Sequence, residues 1–421
     1  MVDLLVIGAG LTGLLAAVVA AREGMRTRLI ATGLGSMLWS PGTIGVLGYL
    51  PQRYRDPVRS PWDALPKLLQ TRPQHPYALV DPDILRDYLI TFQELTAALG
   101  LIYSGEENWR NLLLPSALGA ARPVFLAPEG QIDGRMDREE PYLIVGFEGL
   151  RDFYPTLIAE NLRKLGLSAR AVQLPIDLIT TRRDFSTVQL AQALDATDLG
   201  PLIHALRRVS RSGERIGFPA ILGLTRHVAI LNELRQALDA PIFEIPTLPP
   251  SVPGMRLVRA LRHYLERDLQ VRIDLGLTVA HAQGEGRSVY EIASYASARP
   301  VRHRARRFLL ATGGILGGGI HTGPEGGIEE TIFRLPLAAI PAHRGRWFHR
   351  DFLSPDGQPI SLAGVSVNQN FQPLDENGHV VYDNVWAAGN LLAFSDAIAE
   401  RSREGIAIVT AFAAIARMKE A

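Results

Sequence analysis

Gly8, Gly10 and Gly13 form a G-x-G-x-x-G turn between an apolar run, Val-Asp-Leu-Leu-Val-Ile, and an alanine-rich run, Leu-Leu-Ala-Ala-Val-Val-Ala-Ala. Strand, glycine turn and helix in that order suit a phosphate-bearing nucleotide. Gly8 permits the tight turn, Gly10 lets the backbone approach a pyrophosphate, and Gly13 lets the helix pack closely on the strand. Leu11 and Thr12 open the helix, whose free N–H groups and partial positive charge face the phosphates. About 20 residues past the glycines such folds carry an acid that binds the ribose hydroxyls. Thr32 stands there instead, between Ala31 and Gly33. It takes one hydrogen bond where a carboxylate accepts two, so the motif predicts phosphate contact more firmly than ribose contact. The segment 34–50 leaves the sheet at the same edge, which makes Ser36, Ser40, Gly42 and Thr43 candidate cofactor contacts.

Two further glycine bends follow far downstream. An apolar run ends in Ala311-Thr312-Gly313-Gly314, and a short one ends in Ala387-Ala388-Gly389-Asn390. In two-dinucleotide-fold flavoproteins a strand ending A-T-G-G passes beside the flavin nucleotide. A bend such as Gly389-Asn390 brings backbone N–H groups to the ribityl chain and pyrophosphate. Gly405 and Ile406 then open an alanine-rich helix, expected to aim its N-terminus at the pyrimidine end of the flavin. Helix-end N–H groups favour negative charge there by about 0.3–1 kcal/mol. Three bends in this order predict a flavin. The first histidine is His75, too late for the usual covalent link, so the flavin is expected to be non-covalent.

Catalytic candidates are fewer. Arg256 follows a proline-rich break, and Arg346 lies in a glycine-containing loop beside Trp347; either suits a phosphate or carboxylate in forked geometry. His343, Arg344, Arg346, His349 and Arg350 make a cationic cluster fit for an anionic substrate or a partner. His75 is held extended by Pro76. No Ser/His/Asp set, metal-ligand spacing or P-loop is present, so no metal is expected.

These residues need a framework. Strands are predicted over residues 2–7 and up to Thr32, with an irregular proline- and arginine-rich excursion over 51–80 and a helix over 81–101. Two α/β units follow: strand 142–147, helix 150–165, strand 167–174; then strand 218–224, helix 228–238, strand 241–245. Thr247 to Gly254 breaks structure. A helix restarts at Met255, and strands at 271–275, 278–283, 288–294 and 306–314 precede the third bend. The expected fold class is α/β, a Rossmann-like two-dinucleotide-fold flavoprotein. Residues 1–50 and 250–421 would form the flavin-binding domain, and 51–249 an inserted α/β cap for substrate or partner.

Composition excludes other classes. Net charge is +1 over 421 residues, which makes no electrostatic case for nucleic acid. There is no cysteine, hence no disulfide, thiol catalysis or cysteine-ligated iron–sulfur cluster in this chain. No apolar run reaches the roughly 18–20 residues of a membrane span, and a strand starts at once with no signal peptide, so a cytoplasmic protein is expected.

The chain resembles the B subunits of anaerobic glycerol-3-phosphate dehydrogenases. The resemblance rests on the first glycine motif without its ribose acid, Gln74-His75-Pro76-Tyr77, Val145-Gly146 through Gly149-Leu150-Arg151-Asp152-Phe153, and Leu248-Pro249-Pro250-Ser251-Val252 through Arg256-Leu257. Arg344-Gly345-Arg346-Trp347 with Asp351-Phe352 and the 384–390 turn complete it. The family's last helix is preceded by a glycine-rich run; here Glu400 to Gly405 is more charged. The resemblance implies a flavoprotein subunit, ascribed FMN where the motif itself implies FAD. Its implied partners are an FAD-containing A-type subunit and an iron–sulfur C-type membrane subunit. Such a complex oxidises sn-glycerol 3-phosphate to dihydroxyacetone phosphate and feeds electrons to quinone. The chain would then sit at the inner face of the membrane through its partners. A self-sufficient flavin reductase or dehydrogenase of a small carboxylate, and a scaffold that has lost its flavin, are the alternatives.

Overall fold

Val2–Ile7 is apolar at nearly every position, which suits a strand covered on both faces rather than one with a wet side. The computed structural model describes residues 1–53, 56–296, 299–325, 327–352 and 354–420. Its principal strands, in chain order, are β1 Val2–Ile7, β2 Thr27–Ala31, β3 Tyr142–Phe147, β4 Ala169–Leu174, β5 Arg215–Pro219, β6 Ile242–Ile245, β7 Arg272–Leu275, β8 Thr278–Glu285, β9 Ser288–Ala296, β10 Arg299–Leu310, β11 Ile320–Thr322, β12 Ile328–Glu330 and β13 Val385–Ala387. The principal helices are α1 Leu11–Arg22, α2 Pro61–Thr71, α3 Pro82–Ala98, α4 Pro155–Lys164, α5 Thr187–Ala196, α6 Gly200–Val209, α7 His227–Leu238, α8 Val252–His263 and α9 Arg403–Glu420.

Contacts divide the chain into two units: residues 1–36, 45–95 and 258–421, and residues 37–44 and 96–257. The expected boundary at residue 50 instead falls inside a stretch, 45–95, grouped with the first unit, and residues 51–80, expected to be an irregular excursion, hold helix α2. Ser60 Oγ accepts the Asp63 N–H at 3.3 Å, Pro61 takes the first helical position, and Ala64, Leu65 and Leu68 bury one face of α2. Pro66 sits inside that helix on its exposed side. With α3 these residues pack in the first unit.

The first unit has a seven-stranded sheet. Its parallel part runs β7-β2-β1-β10-β13, the doubly wound order with its reversal between β1 and β10. β10 is long enough to join the parallel part of this sheet to an antiparallel part. Ala305–Leu310 pairs in parallel with β1, and Arg299–Arg304 pairs antiparallel with β9, which pairs with β8. Helices α1 and α9 pack side by side. Ala16, Ala17 and Ala20 on one and Ala407, Ala411 and Ala414 on the other are buried, and such small side chains let two backbones approach closely.

The second unit has a four-stranded parallel sheet, β6-β5-β3-β4. Its core includes Leu143, Ile144, Val145, Phe218 and Phe243. The first α/β unit predicted from 142 onward is present, as are the helix near 228–238 and the strand near 241–245; the strand expected over 218–224 lies instead at Arg215–Pro219, and α5 and α6 lie in the stretch 175–217 that carried no prediction.

Candidate functional site

The sheet register brings the three glycine bends together within the first unit. Ile7 pairs with both Ile30 and Leu310, and Leu310 pairs with Ala387. The chain therefore leaves β1, β10 and β13 at one level on the carboxyl edge. The exit is stitched by backbone: Gly8 N–H donates to Ile30 O at 2.8 Å, Ala311 N–H to Ile7 O at 2.8 Å, and Ala388 N–H to Leu310 O at 3.0 Å.

The bends also interlock by the absence of side chains. Gly8 has φ +116°, and a Cβ there would collide with Ala311 O; one on Gly13 would collide with Gly8 O. So Gly13 serves helix-on-strand packing, as predicted. A Cβ on Gly314 would lie 2.7 Å from Asn390 O, and one on Gly389 would collide with Thr12 Oγ1. Gly10 is different. A Cβ there would meet only Gly35 Cα, at 4.0 Å, so its freedom leaves open space beside the helix start.

That space has unmet polar demand. Gly10 caps α1 without a side chain, and no acid stands in the first turn. Leu14 N–H, bonded to Gly10 O at 3.0 Å, is the first amide paired inside the helix. The amides of Leu11, Thr12 and Gly13 precede it, and the positive helix end is not neutralised. Thr312 Oγ1 and Asn390 Oδ1 are buried with no hydrogen-bond partner. Two such oxygens at neighbouring bends, beside an uncapped helix start, suit a ligand that completes the bonding. A phosphate-bearing, hydroxyl-rich group fits this donor set.

Thr32 is exposed, and its hydroxyl donates to Leu277 O at 3.3 Å. Ser36 begins a short helical turn in the first unit. Ser40, Gly42 and Thr43 belong to the second unit. There Thr43 Oγ1 accepts from Arg122 at 2.7 Å, Gly42 O accepts from Tyr103 at 2.8 Å, and Ser40 is buried. Gly405 and Ile406 need correction as amide donors. Gly405 N–H donates to Gly45 O at 2.8 Å, and Ile406 N–H to Ser402 O at 2.9 Å, so both are consumed by the protein.

The catalytic candidates change character. His75 is fully buried: its Nδ1 accepts the Tyr77 N–H at 3.1 Å, and its Nε2 faces Glu400 Oε2 at 3.1 Å. Both ring nitrogens are used, so His75 is a structural residue here. Arg256 is buried in the second unit, doubly bonded to the Glu244 carboxylate at 2.6 and 2.9 Å and to Gly223 O. Burial pushes the Glu244 carboxyl up, but the Arg256 charge and its hydrogen bonds outweigh this and hold it below the usual range. Arg256 is thus committed within the fold, leaving no fork for a substrate. Arg346 is exposed in a short turn. Among the described residues no His, Asp or Glu cluster could hold a metal.

Two buried polar residues brace the third bend and the segment that leads into α9. Thr410, fully buried in α9, accepts Gly389 N–H at 2.8 Å and donates to Ile406 O at 2.6 Å. Glu400, fully buried, gathers Arg72, His75, Ser402 Oγ and the Asp396 amide. Burial pushes its carboxyl up, but His75, Arg72 and Ser402 together bring it below the ordinary value. Asn390 Nδ2, donating to Arg403 O at 3.3 Å, ties the third bend to the start of α9. Polar spacing along the chain pointed to neither residue, since Gly389, Arg72 and His75, which they hold, are remote in sequence.

With this geometry in view, residues 3–402 match the family described as FAD binding domain. The chain belongs to that family. It is 31% identical over 424 residues to the B subunit of a probable anaerobic glycerol-3-phosphate dehydrogenase of Halobacterium salinarum, covering 98% of this chain and 96% of that protein. It is 30% identical over 432 residues to the corresponding B subunit of Yersinia pestis, covering 97% and 96%. The chain belongs to this family of B subunits as well. Among solved structures it is similar to 3-ketosteroid Δ1-dehydrogenase from Sterolibacterium denitrificans, at 13% identity and TM-score 0.45, covering 100% of this chain and 99% of that one. The family's cofactor is FAD.

Proposed function

We propose that this chain is the flavoprotein B subunit of a glycerol-3-phosphate dehydrogenase. The complex oxidises sn-glycerol 3-phosphate to dihydroxyacetone phosphate and delivers electrons to quinone through an FAD-containing A-type subunit and an iron–sulfur C-type membrane subunit. The observation that carries this reading is the overlap of 98% of this chain with 96% of its Halobacterium salinarum relative. The geometry of the first unit supports it. The amides of Leu11, Thr12 and Gly13 bind the pyrophosphate, and Thr312 and Asn390 complete the hydrogen bonding beside it. When bound, the flavin accepts the two electrons of the alcohol oxidation. Thr410 and Glu400 keep the third bend and the start of α9 in register. Without cysteine the chain builds no iron–sulfur cluster, so onward transfer requires another polypeptide. No described helix is long and apolar enough to cross a membrane, which fits attachment through partners at the inner face. Of the two arginines a carboxylate reductase could use, Arg256 is already paired with Glu244.

The purified chain is expected to be yellow, to bleach with dithionite and to release FAD on heating. The complex with its partners is expected to reduce a quinone analogue with glycerol 3-phosphate and not to respond to fumarate. A colourless chain that takes up neither FAD nor FMN would remove the flavin assignment. A flavin-bearing complex inert toward glycerol 3-phosphate would remove the substrate.

A further inference from the structure

We propose that residues 343–352 form the docking surface for an acidic partner protein, with Phe348 and Phe352 entering apolar pockets and Arg346 and Arg350 pairing with carboxylates. This rests on the reading of the chain as one component of a redox complex.

The loop is constructed rather than loose. From the middle glycine bend the chain runs through a short turn into the β11–β12 hairpin. The Arg344 guanidinium lies over the Trp347 ring at 5.5 Å and donates to Gly323 O at 3.0 Å and to Pro324 O. Trp347 is buried with Ile360 and Ala363. Gln358 then clamps the rest of the loop. Its Oε1 accepts His349 N–H at 2.7 Å, and its Nε2 donates to the carbonyls of Asp351 at 3.1 Å and Phe352 at 2.9 Å.

This fixed backbone presents side chains that gain nothing from the chain itself. Phe348 is 65% exposed and Phe352 89% exposed. The Arg346 and Arg350 side chains are exposed and have no partner among the described residues. Asp351 is the one acid among three arginines and two histidines in the segment. Water-exposed rings are unfavourable unless something covers them. Aromatic rings and arginines are the residue types that carry interface energy, and a preorganised loop loses little entropy on binding. Planar guanidinium groups, with no lysine among them, suit carboxylates in forked pairs. A protein partner is also required on chemical grounds, because this chain has no cysteine with which to build a cluster that carries electrons onward.

The test co-expresses the full chain with its A-type and C-type partners and measures co-elution on size exclusion. The variants are Phe348→Ser with Phe352→Ser, Arg346→Glu with Arg350→Glu, and a control, Leu118→Ser, which removes an apolar side chain 57% exposed in the second unit. Wild type and control are expected to co-elute. Both double variants should keep flavin content and melting temperature while losing partner recovery by about tenfold or more. High salt should weaken wild-type association as the charge reversal does. Double variants that co-elute like wild type overturn the docking surface and leave the proposed function standing. A wild type that never co-elutes overturns both together. Flotation of the isolated chain with phosphatidylglycerol vesicles, lost in both double variants, would assign the loop to lipid and overturn the protein partner.

Discussion

At the level of single atoms, Thr312 and Asn390 carry the case for a binding site over a tight turn. A turn that serves only the fold gains from pairing its buried oxygens, because each unpaired one costs about 1–3 kcal/mol. Here two oxygens at adjacent bends are left so. The consequence has opposite signs in the two states of the protein. Thr312→Val removes the orphan hydroxyl with little change of shape. The apo protein is expected to become more stable, by up to about 1 kcal/mol, because an unpaired polar atom leaves the interior. FAD binding is expected to weaken about 2- to 10-fold, the worth of one net hydrogen bond. Chemical denaturation of the apo form and fluorescence titration with FAD read the two effects separately. A variant that loses both stability and affinity would show the hydroxyl to be structural.

At the scale of elements, the α1–β1 contact is the one the bends depend on. Gly13 lies against Gly8 O, and Gly8 against Ala311 O, so the first and middle bends approach through bare backbone. Gly13→Val must push α1 off β1 and carry Thr12 away from Gly389. Loss of FAD binding and a stability cost of about 2 kcal/mol or more are expected, in the range of other overpacked cores. Gly33→Ala, where a Cβ would meet nothing within 4 Å, is the matched control. Equal FAD affinity in both variants would sink the role given to this contact. The same scale shows what is legible in the chain. Glycine bends after apolar runs are readable because backbone approach is a local demand, and parallel strands because their apolar character is continuous. Helix α2 escapes such a reading because proline at its first turn and again at Pro66 imitates a loop, while the Ser60 cap that starts it is a single residue. Glu400 reads as part of a solvated charged run. It is buried because Arg72 and His75, more than 300 residues earlier, come to it. Arg256 reads as free for the converse reason, since its partner Glu244 lies on a different element. Pairing across separate elements leaves no periodic trace in the chain.

For the molecule as a whole, the two units carry different acid sensitivities. In the second unit His227 is buried: its Nδ1–H donates to Leu222 O at 2.8 Å, and its Nε2 lies 4.0 Å from Glu244 Oε2. Burial first, then the Arg256 charge, lowers its pKa below 6.5, against the pull of Glu244. Above 6.5 neither the folded nor the unfolded histidine holds the extra proton, and the stability is whole. As pH falls toward the folded value, the unfolded chain takes up a proton that the folded one refuses, and stability is lost at up to about 1.4 kcal/mol per pH unit. Glu244, depressed by Arg256, adds its own loss further down, as pH falls below its ordinary 4.5 and through its folded value. The first unit has an opposing influence. His303 there is also lowered, by burial and then Arg28, and Glu400 is held below its ordinary value by His75 and Arg72 against burial, so its loss comes only at lower pH; but Asp396 is raised by burial and by the Glu400 charge, and Glu330 by burial. A raised carboxyl destabilises the folded unit above its folded pKa, and that penalty is relieved as pH falls through it. Acidification from pH about 7.5 to about 5.5 should therefore loosen the second unit first. Hydrogen exchange is expected to accelerate in β3 and β5 before β1 and β10, and His227→Gln should abolish most of the difference. Earlier acceleration in β1 and β10 would place the acid-sensitive group in the first unit instead.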